Sequence, residues 1–383
     1  MQIQEALKLG IWAQDTAIAE NPDYLTRQLI TYIGNKRALL GEISNAVVRI
    51  KRRLGKQKLA CFDVFSGSGV VSRYLKAHSS RLISNDLEDY ARVIGRCFLA
   101  NRSSVDMFLL EDIVKDLNAR VLDAPFPKGF IEEMYAPRDE LNITKEDRVF
   151  YTQNNARRLD NYRRLINEIP EYLHDFLLAP LLSEASIHAN TAGVFKGFYK
   201  NRITRVGQFG GSGRDALRRI MGEIILETPV LSNFECEVEV LQEDANKAVR
   251  SIRGLDLAYL DPPYNQHPYG SNYFMLNLIV HYKRPVHVSK VSGIPINWRR
   301  SRYNVKEEAP KVFTDLVEHL DAAFLLVSFN DEGFISPTEM FKILGAFGKV
   351  ETIHIRYNAF RGSRSFANRS LHTTEHLYIV ERR

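Results

Sequence analysis

Asp261-Pro262-Pro263-Tyr264 packs a carboxylate, two rigid carbonyls and an aromatic plane into consecutive positions. Successive prolines fix φ twice and remove two backbone donors, so the carbonyls there stand as acceptors. A stiff acceptor pair beside an aromatic face suits a flat ring carrying an exocyclic amine. The plainer alternative is a Pro-Pro turn with Tyr264 merely covering the core. The apolar run 255–260 just before it reads as a buried strand. The tetrapeptide therefore sits where a strand runs out into a loop, and open parallel sheets bind ligands at that end.

Three further stretches have the composition of a site. Residues 59–65 read as a strand and 70–77 as a helix, with Ser66-Gly67-Ser68-Gly69 between them. A glycine turn at a helix N-terminus lets a ligand approach the backbone closely. The third glycine of a dinucleotide fingerprint is replaced by Ser72, which weakens a nicotinamide reading. Residues 81–86 form a second strand pattern ending in Asp86, placed to accept both ribose hydroxyls or, more simply, to cap a helix. Residues 238–244 alternate and end in Asp244. Near the start, Gly34-Asn35 signals a turn, and Leu39, Leu40, Ile43, Val47 and Ile50 keep helical spacing. Lys36 then stands at a helix start, where the macrodipole disfavours cations. It is placed to grip a carboxylate, or else it is a solvated lysine.

The elements that must carry these residues alternate in βα fashion up to about residue 104 and again from about 236. Strands near 324–329, 350–355 and 376–380 would close the sheet; residues 1–23 are only weakly periodic. In between, Thr144-Lys-Glu-Asp147 resembles a capping box opening a long helix with Val149, Phe150, Leu159, Tyr162, Leu165 and Ile166 on its apolar side. A second helix carrying Leu173, Phe176, Leu177, Leu181 and Leu182 is expected to break near Pro180. From 190 to 214 glycines, aromatics and cations interleave. Lys196, Tyr199, Lys200, Arg202, Arg205 and Arg214 lie there, and 196–219 holds seven Lys or Arg against one acid. Cations hold phosphates and aromatics stack on bases, so this composition suits a DNA-contacting loop. A solvated basic face over core aromatics is the alternative.

Length and charge permit this. A chain of 383 residues can bury a large core, and a formal charge of +6 with pI near 9.0 is compatible with a polyanionic partner. Cys61, Cys97 and Cys236 are widely spaced, which argues against a zinc site or disulfide framework. The first fifteen residues are too polar for a signal peptide, and no apolar run has spanning length. A cytoplasmic protein is expected.

Taken together, these segments resemble the S-adenosylmethionine-dependent DNA adenine-N6 methyltransferases of the Dam-like (D12 class) group, over about 29–383 with a variable middle. The resemblance implies a Rossmann-like, mixed seven-stranded α/β methyltransferase sheet. The catalytic domain would comprise 24–108 and 236–383, with an inserted, mainly helical target-recognition domain at 109–235. Tyr32-Ile-Gly-Asn-Lys36 resembles the family's aromatic-x-Gly-x-Lys motif, so Tyr32 would pack on the cofactor and Lys36 would hold its carboxylate. Asp63-Val-Phe65-Ser-Gly67-Ser-Gly69 resembles the glycine-rich cofactor motif, Asp86 the ribose acid, and Asp244 the acid on the adenine amine. The phenylalanine often found after that acid is Ala245 here. Asp261, Pro262, Pro263 and Tyr264 match the catalytic tetrapeptide, and Asp261 is expected to bind the cofactor as well. Asp261 and the Pro262 carbonyl would hold a flipped adenine's amine, with Tyr264 on one side and Tyr273 or Phe274 on the other. No metal is implied. Double-stranded DNA and a separately encoded restriction endonuclease are the expected partners. Cytosine-N4 or RNA-amine methylation, a nicotinamide oxidoreductase and a non-catalytic DNA-binding protein remain alternatives.

Overall fold

The computed structural model describes residues 19–123, 126–211, 215–358 and 372–383. The strands are β1 (Leu59–Asp63), β2 (Ser79–Asn85), β3 (Glu237–Leu241), β4 (Leu255–Leu260), β5 (Ala322–Asn330), β6 (Gly348–Asn358) and β7 (His372–Arg382). They form one sheet of seven in the order β3-β2-β1-β4-β5-β7-β6. β1 to β5 run parallel, and β7 enters antiparallel between β5 and β6. β1, β4 and β5 read as mainly apolar runs because both sheet faces are covered there; all six residues of β4 are buried. Strand order reverses between β1 and β4, the point at which open α/β sheets leave a crevice at their C-terminal ends. Pairing of Asp63 with Ser84 on one side and Tyr259 on the other brings those ends level.

Helices α1 (Leu40–Leu54), α2 (Val70–Lys76) and α3 (Asp89–Phe98) cover one face, followed by α4 (Met107–Arg120), α5 (Gln153–Ile166) and α6 (His174–Ile187). Spacing explains the burial: Tyr90, Val93, Ile94 and Cys97 make one stripe of α3 and all are buried. The other face is covered by α7 (Ala245–Ala248), α9 (Ala309–His319) and α10 (Pro337–Gly345), while α8 (Phe274–His281) lies on the first. Leu117, Leu159 and Leu181 belong to the same continuous core as Cys61 and Leu257, so the helical segment and the sheet are packed as one body. No helix among the described residues is long and apolar enough to cross a membrane.

Two expectations in the helical segment fail. Asp147 does reach back to the Thr144 amide and hydroxyl, at 2.8 and 2.7 Å, but no helix follows. The helix begins instead at Gln153, capped by Thr152, whose side chain accepts from the Asn155 amide. The box closes a turn on itself. Nor is α6 broken at Pro180. An interior proline costs roughly 3 kcal/mol, but every residue from Leu177 to Ser186 is buried. Burial of each large aliphatic side chain contributes about 1.5–3 kcal/mol, so packing outweighs the lost hydrogen bond.

Candidate active site

The crevice at the switch point is a cleft with an empty volume of about 880 Å³, partly open to solvent. Strand ends supply most of its chemistry. Asp63, the last residue of β1, accepts from the Ser72 hydroxyl through Oδ2. Its Oδ1 is buried with no hydrogen-bond partner among the described residues. Burial is the main cause that pushes its carboxyl up to about 7. Ser72, where the third glycine was missing, thus anchors the acid at the front of the turn.

Gly67 has φ +51° and Gly69 φ +73°, which L side chains rarely adopt. A Cβ on Gly67 would lie 2.8 Å from the Tyr32 ring, so the turn approaches that ring too closely for any side chain. The Gly67 amide donates to Asp86 Oδ2 at 2.8 Å, and the Glu88 amide to Oδ1 at 2.9 Å. Asp86 is therefore not a helix cap, since α3 starts at Asp89 with Glu88 before it. Asp244 does fill the plainer role. It caps α7, accepting from the Lys247 amide at 3.3 Å, while still lining the cleft.

At the end of β4, Asp261 meets Lys36. Lys36 Nζ lies 2.9 Å from Asp261 Oδ1 and 3.3 Å from Glu375 Oε1, and also donates to the Gly34 carbonyl at 3.0 Å. Lys36 is only 5% exposed and its burial opposes its charge, but the two carboxylates hold it well above the usual lysine value. Asp261 is pushed up to about 6, chiefly by burial and secondarily by Glu375, against the pull of Lys36. Tyr264 packs edge-on against Phe329 with centroids 6.2 Å apart, and its backbone carbonyl accepts from the Phe334 amide. The tetrapeptide contains no cis peptide bond. Tyr32 stacks near-parallel on Tyr269 and Tyr273, at 5.0 and 4.8 Å between centroids.

The structure therefore gathers Tyr32, Lys36, Asp63, Phe65, Gly67, Asp86, Asp244, Asp261 and Pro263 around one cleft, with Gly69 directly behind as the first residue of the α2 turn. It does not place Tyr273 or Phe274 there. Both are buried, Tyr273 accepting from the Ile33 amide and Phe274 packing on Phe150 and Phe195, and the ring that lines the cleft is Tyr269. A helical turn at Tyr269–Asn272 turns the first aromatic outward and the next two into the core.

Three residues of the site belong to no sequence motif. Tyr303 lines the cleft beside Ala245, 5.2 Å from Phe65 in an edge contact, with its hydroxyl on Asn246. Glu88 also lines it, pushed up to about 7 mainly by burial. Glu375, on β7, completes the Lys36 pair. Adjacency to Asp86 was a usable signal for Glu88; Tyr303 and Glu375 arrive from remote segments.

On the outer side, Lys196 Nζ lies 3.3 Å from His267 Nδ1, three residues past Tyr264, and the Phe195 amide donates to the Asn272 carbonyl at 2.7 Å. Arg202 and Arg205 are exposed, Tyr199 is half-buried and Lys200 lies over the Phe198 ring at 4.8 Å. Phe195 and Phe198 are core residues, so those aromatics serve packing. Arg214 lies outside the described residues.

A profile described as D12 class N6 adenine-specific DNA methyltransferase matches residues 32–323, spanning the glycine turn, the helical segment and the tetrapeptide. The chain belongs to that family. As a family member it is an adenine-specific DNA methyltransferase, and the match covers both sides of the cleft. The methyltransferase is 29% identical over 361 residues to the Type II methyltransferase M.NlaIII of Neisseria lactamica, covering 92% of this chain and 99% of the relative. It is 28% identical to M.CviAII of Paramecium bursaria Chlorella virus 1, covering 92% and 98%. Its 26% identity to the modification methylase StsI of Streptococcus sanguinis covers 92% of this chain but 52% of that longer protein.

Proposed function

We propose that this methyltransferase takes S-adenosylmethionine as donor and methylates N6 of an adenine rotated out of duplex DNA, as the modification enzyme of a restriction-modification system. The cleft's lining supports the choice of donor. Six acids line it (Asp63, Asp86, Glu88, Glu243, Asp244 and Asp261) against the cations Lys36 and Arg299, which are themselves paired with Asp261 and Asp89. An adenosine carrying a sulfonium and an ammonium fits such a lining. Asp86 and Glu88 are placed for ribose hydroxyls, Asp244 for the adenine amine, and Asp63 with the Gly67 turn for the methionine end. When bound, the donor supplies an electrophilic methyl group.

The observation that carries the reading is Asp261-Pro-Pro-Tyr264 at the mouth of this acid-lined cleft. The lone pair of adenine N6 is delocalised into the ring. Asp261 and the Pro262 carbonyl accept the two N–H groups and direct the lone pair along the attack line. They also stabilise the positive charge that grows on nitrogen. Tyr264 gives the extruded base a stacking surface. The Asp261–Lys36–Glu375 cluster holds the acceptor in place. The loop 190–211, tied to the catalytic loop through Lys196 and Phe195, is positioned to bring DNA to it, with 109–235 as the recognition unit. The relatives named as Type II methyltransferases support a cognate nuclease.

The test uses labelled S-adenosylmethionine and plasmid DNA. The parent protein is expected to yield N6-methyladenine after nucleoside digestion. Asp261→Ala should still bind donor and DNA but transfer nothing. Label in adenine from the Asp261→Ala protein would show that another group orients the amine.

A further inference from the structure

Residues 283–306 follow α8 and hold seven Lys or Arg with no Asp or Glu. No motif of the chain covers them. The segment is built rather than loose. Val288 and Pro295 form an antiparallel bridge, the Ser289 amide donates to the Ile294 carbonyl at 2.8 Å, and Gly293 turns the hairpin at φ +67°. Its tip is fastened to the helical segment and to the 190–211 loop. The Tyr135 hydroxyl donates to the Gly293 carbonyl and the Ser292 hydroxyl to the Lys196 carbonyl, each at 2.7 Å.

Three of the seven cations are neutralised: Arg284 by Glu133, Arg299 by Asp89 and Arg302 by Glu308. Lys283, Lys290, Arg300 and Lys306 are exposed and form no ion pair among the described residues. Between them the chain leaves Val286, Val291 and Ile296 at 86%, 59% and 63% exposure. A second cleft runs between this arm and Lys196, lined also by Gln266, Trp298 and Arg300, with the Arg300 guanidinium 4.2 Å from the Trp298 ring centroid. Ser301 and Asn304 line both this cleft and the main one, so the two share a wall. Unpaired cations alternating with bare apolar surface, opening onto an amine-binding tetrapeptide, match the phosphates, sugars and base faces of a nucleic acid strand.

We propose that 283–306 is a second DNA-contacting arm, and that the cleft between it and Lys196 seats the strand next to the target adenine. Arg300 holds a phosphate in the cleft, Lys290, exposed next to the lining residue Ser289, holds one beside it, and Trp298 gives a flat surface for a sugar or base. Arg299, bonded to the Leu87 carbonyl and paired with Asp89, ties the arm to the end of β2 that carries Asp86. The inference rests on the DNA-methylating reading of the main cleft.

The test is the salt dependence of binding to sheared plasmid DNA by the parent chain and the Arg300→Gln/Lys290→Gln double variant. Removing one cation from a phosphate lowers the slope of log K against log salt by about 1. The double variant should bind severalfold more weakly near 0.1 M salt with a slope lower by about 2, while binding S-adenosylmethionine as the parent does. An unchanged slope and affinity would overturn the proposal. A measurement on the parent chain keeps it testable if the variant misfolds. DNA should protect Lys290 from acetylation but not Lys342 of α10, under the opposite sheet face. Equal labelling of Lys290 with and without DNA, or protection that depends on protein concentration alone, would overturn it, the latter marking a face between copies. If the parent chain neither binds nor methylates DNA, the main reading falls as well. If it does both and only these two results fail, the arm alone is wrong.

Discussion

Asp63, Asp86 and Asp261 stand at the last residue of a strand or one past it, whereas Lys196, Arg202 and Arg300 stand on loops joined by single side-chain and backbone bonds. The inner cleft inherits its precision from the parallel ladder, because β1 is paired on both sides and cannot shift without dragging β2 and β4. The outer arms are held by side-chain and backbone bonds to one another, to the loop after Tyr264, to Tyr135 and to the end of β2, with Phe195 and Phe198 anchored in the core. One region is suited to fixing a small, invariant ligand. The other is suited to a long, charged one whose sequence differs among enzymes. Substitutions inside should therefore act on chemistry or donor binding, and substitutions outside on DNA affinity and its salt response.

The largest effect expected is at Asp261. Asp261→Asn keeps one acceptor oxygen but removes the charge facing the developing cation, and single-turnover transfer should fall by about 10²–10³-fold, the range for removing one preorganised electrostatic group. Donor affinity measured by calorimetry should stay near that of the parent. A comparable loss of DNA binding instead would blur the division between the two regions.

Gly67→Ala comes next. The left-handed conformation alone costs about 1–2 kcal/mol for a residue with Cβ, and the Tyr32 ring must also move from a contact of 2.8 Å. Urea unfolding should show at least that loss, together with a raised KM for S-adenosylmethionine and an unchanged KM for DNA. Stability and donor KM both at parent values would mean that the turn is not held against Tyr32.

The pH profile gives a third, sharper probe. Asp261, pushed up to about 6 by burial, must be ionised to offset the positive charge that grows on N6, so the rate should rise with pH through an acid limb near that value. Lys36 favours the ionised form and Glu375 opposes it. Lys36→Met should therefore move the limb to higher pH and Glu375→Gln to lower pH. Shifts in the opposite sense, or none, would show that another group sets the limb.

Much of the inner region is legible from sequence because Asp63, Asp86 and Asp261 each end a run whose burial dictates a strand, and because Gly67 and the Pro-Pro pair restrict the backbone locally. What escapes is whatever depends on distant segments meeting. Glu375 falls just before the strand expected at 376–380, yet β7 slots beside β5 and delivers it to Lys36. Tyr303 sits in a single 3-10 turn with no period to betray it, and lines the cleft against Phe65. Pro180 misleads for the same reason, since tertiary burial overrides a local propensity. The basic arms are visible only as composition. The described residues show that in the first arm Phe195 and Phe198 belong to the core.

The smallest effects belong to that first arm. Arg202→Gln and Arg205→Gln should each reduce the salt slope of DNA binding by about 1 and weaken affinity a few-fold. The rate at saturating DNA should hold. A fall in that rate with no change of slope would put these arginines in base positioning rather than phosphate contact.

The most direct measurement is modification-detecting sequencing of plasmid DNA from cells producing either the parent chain or Asp261→Asn. N6-methyladenine at one short recurrent sequence, present with the parent and absent with the variant, is the predicted result. Methylation on cytosine N4, or an identical adenine signal from the variant, would contradict it.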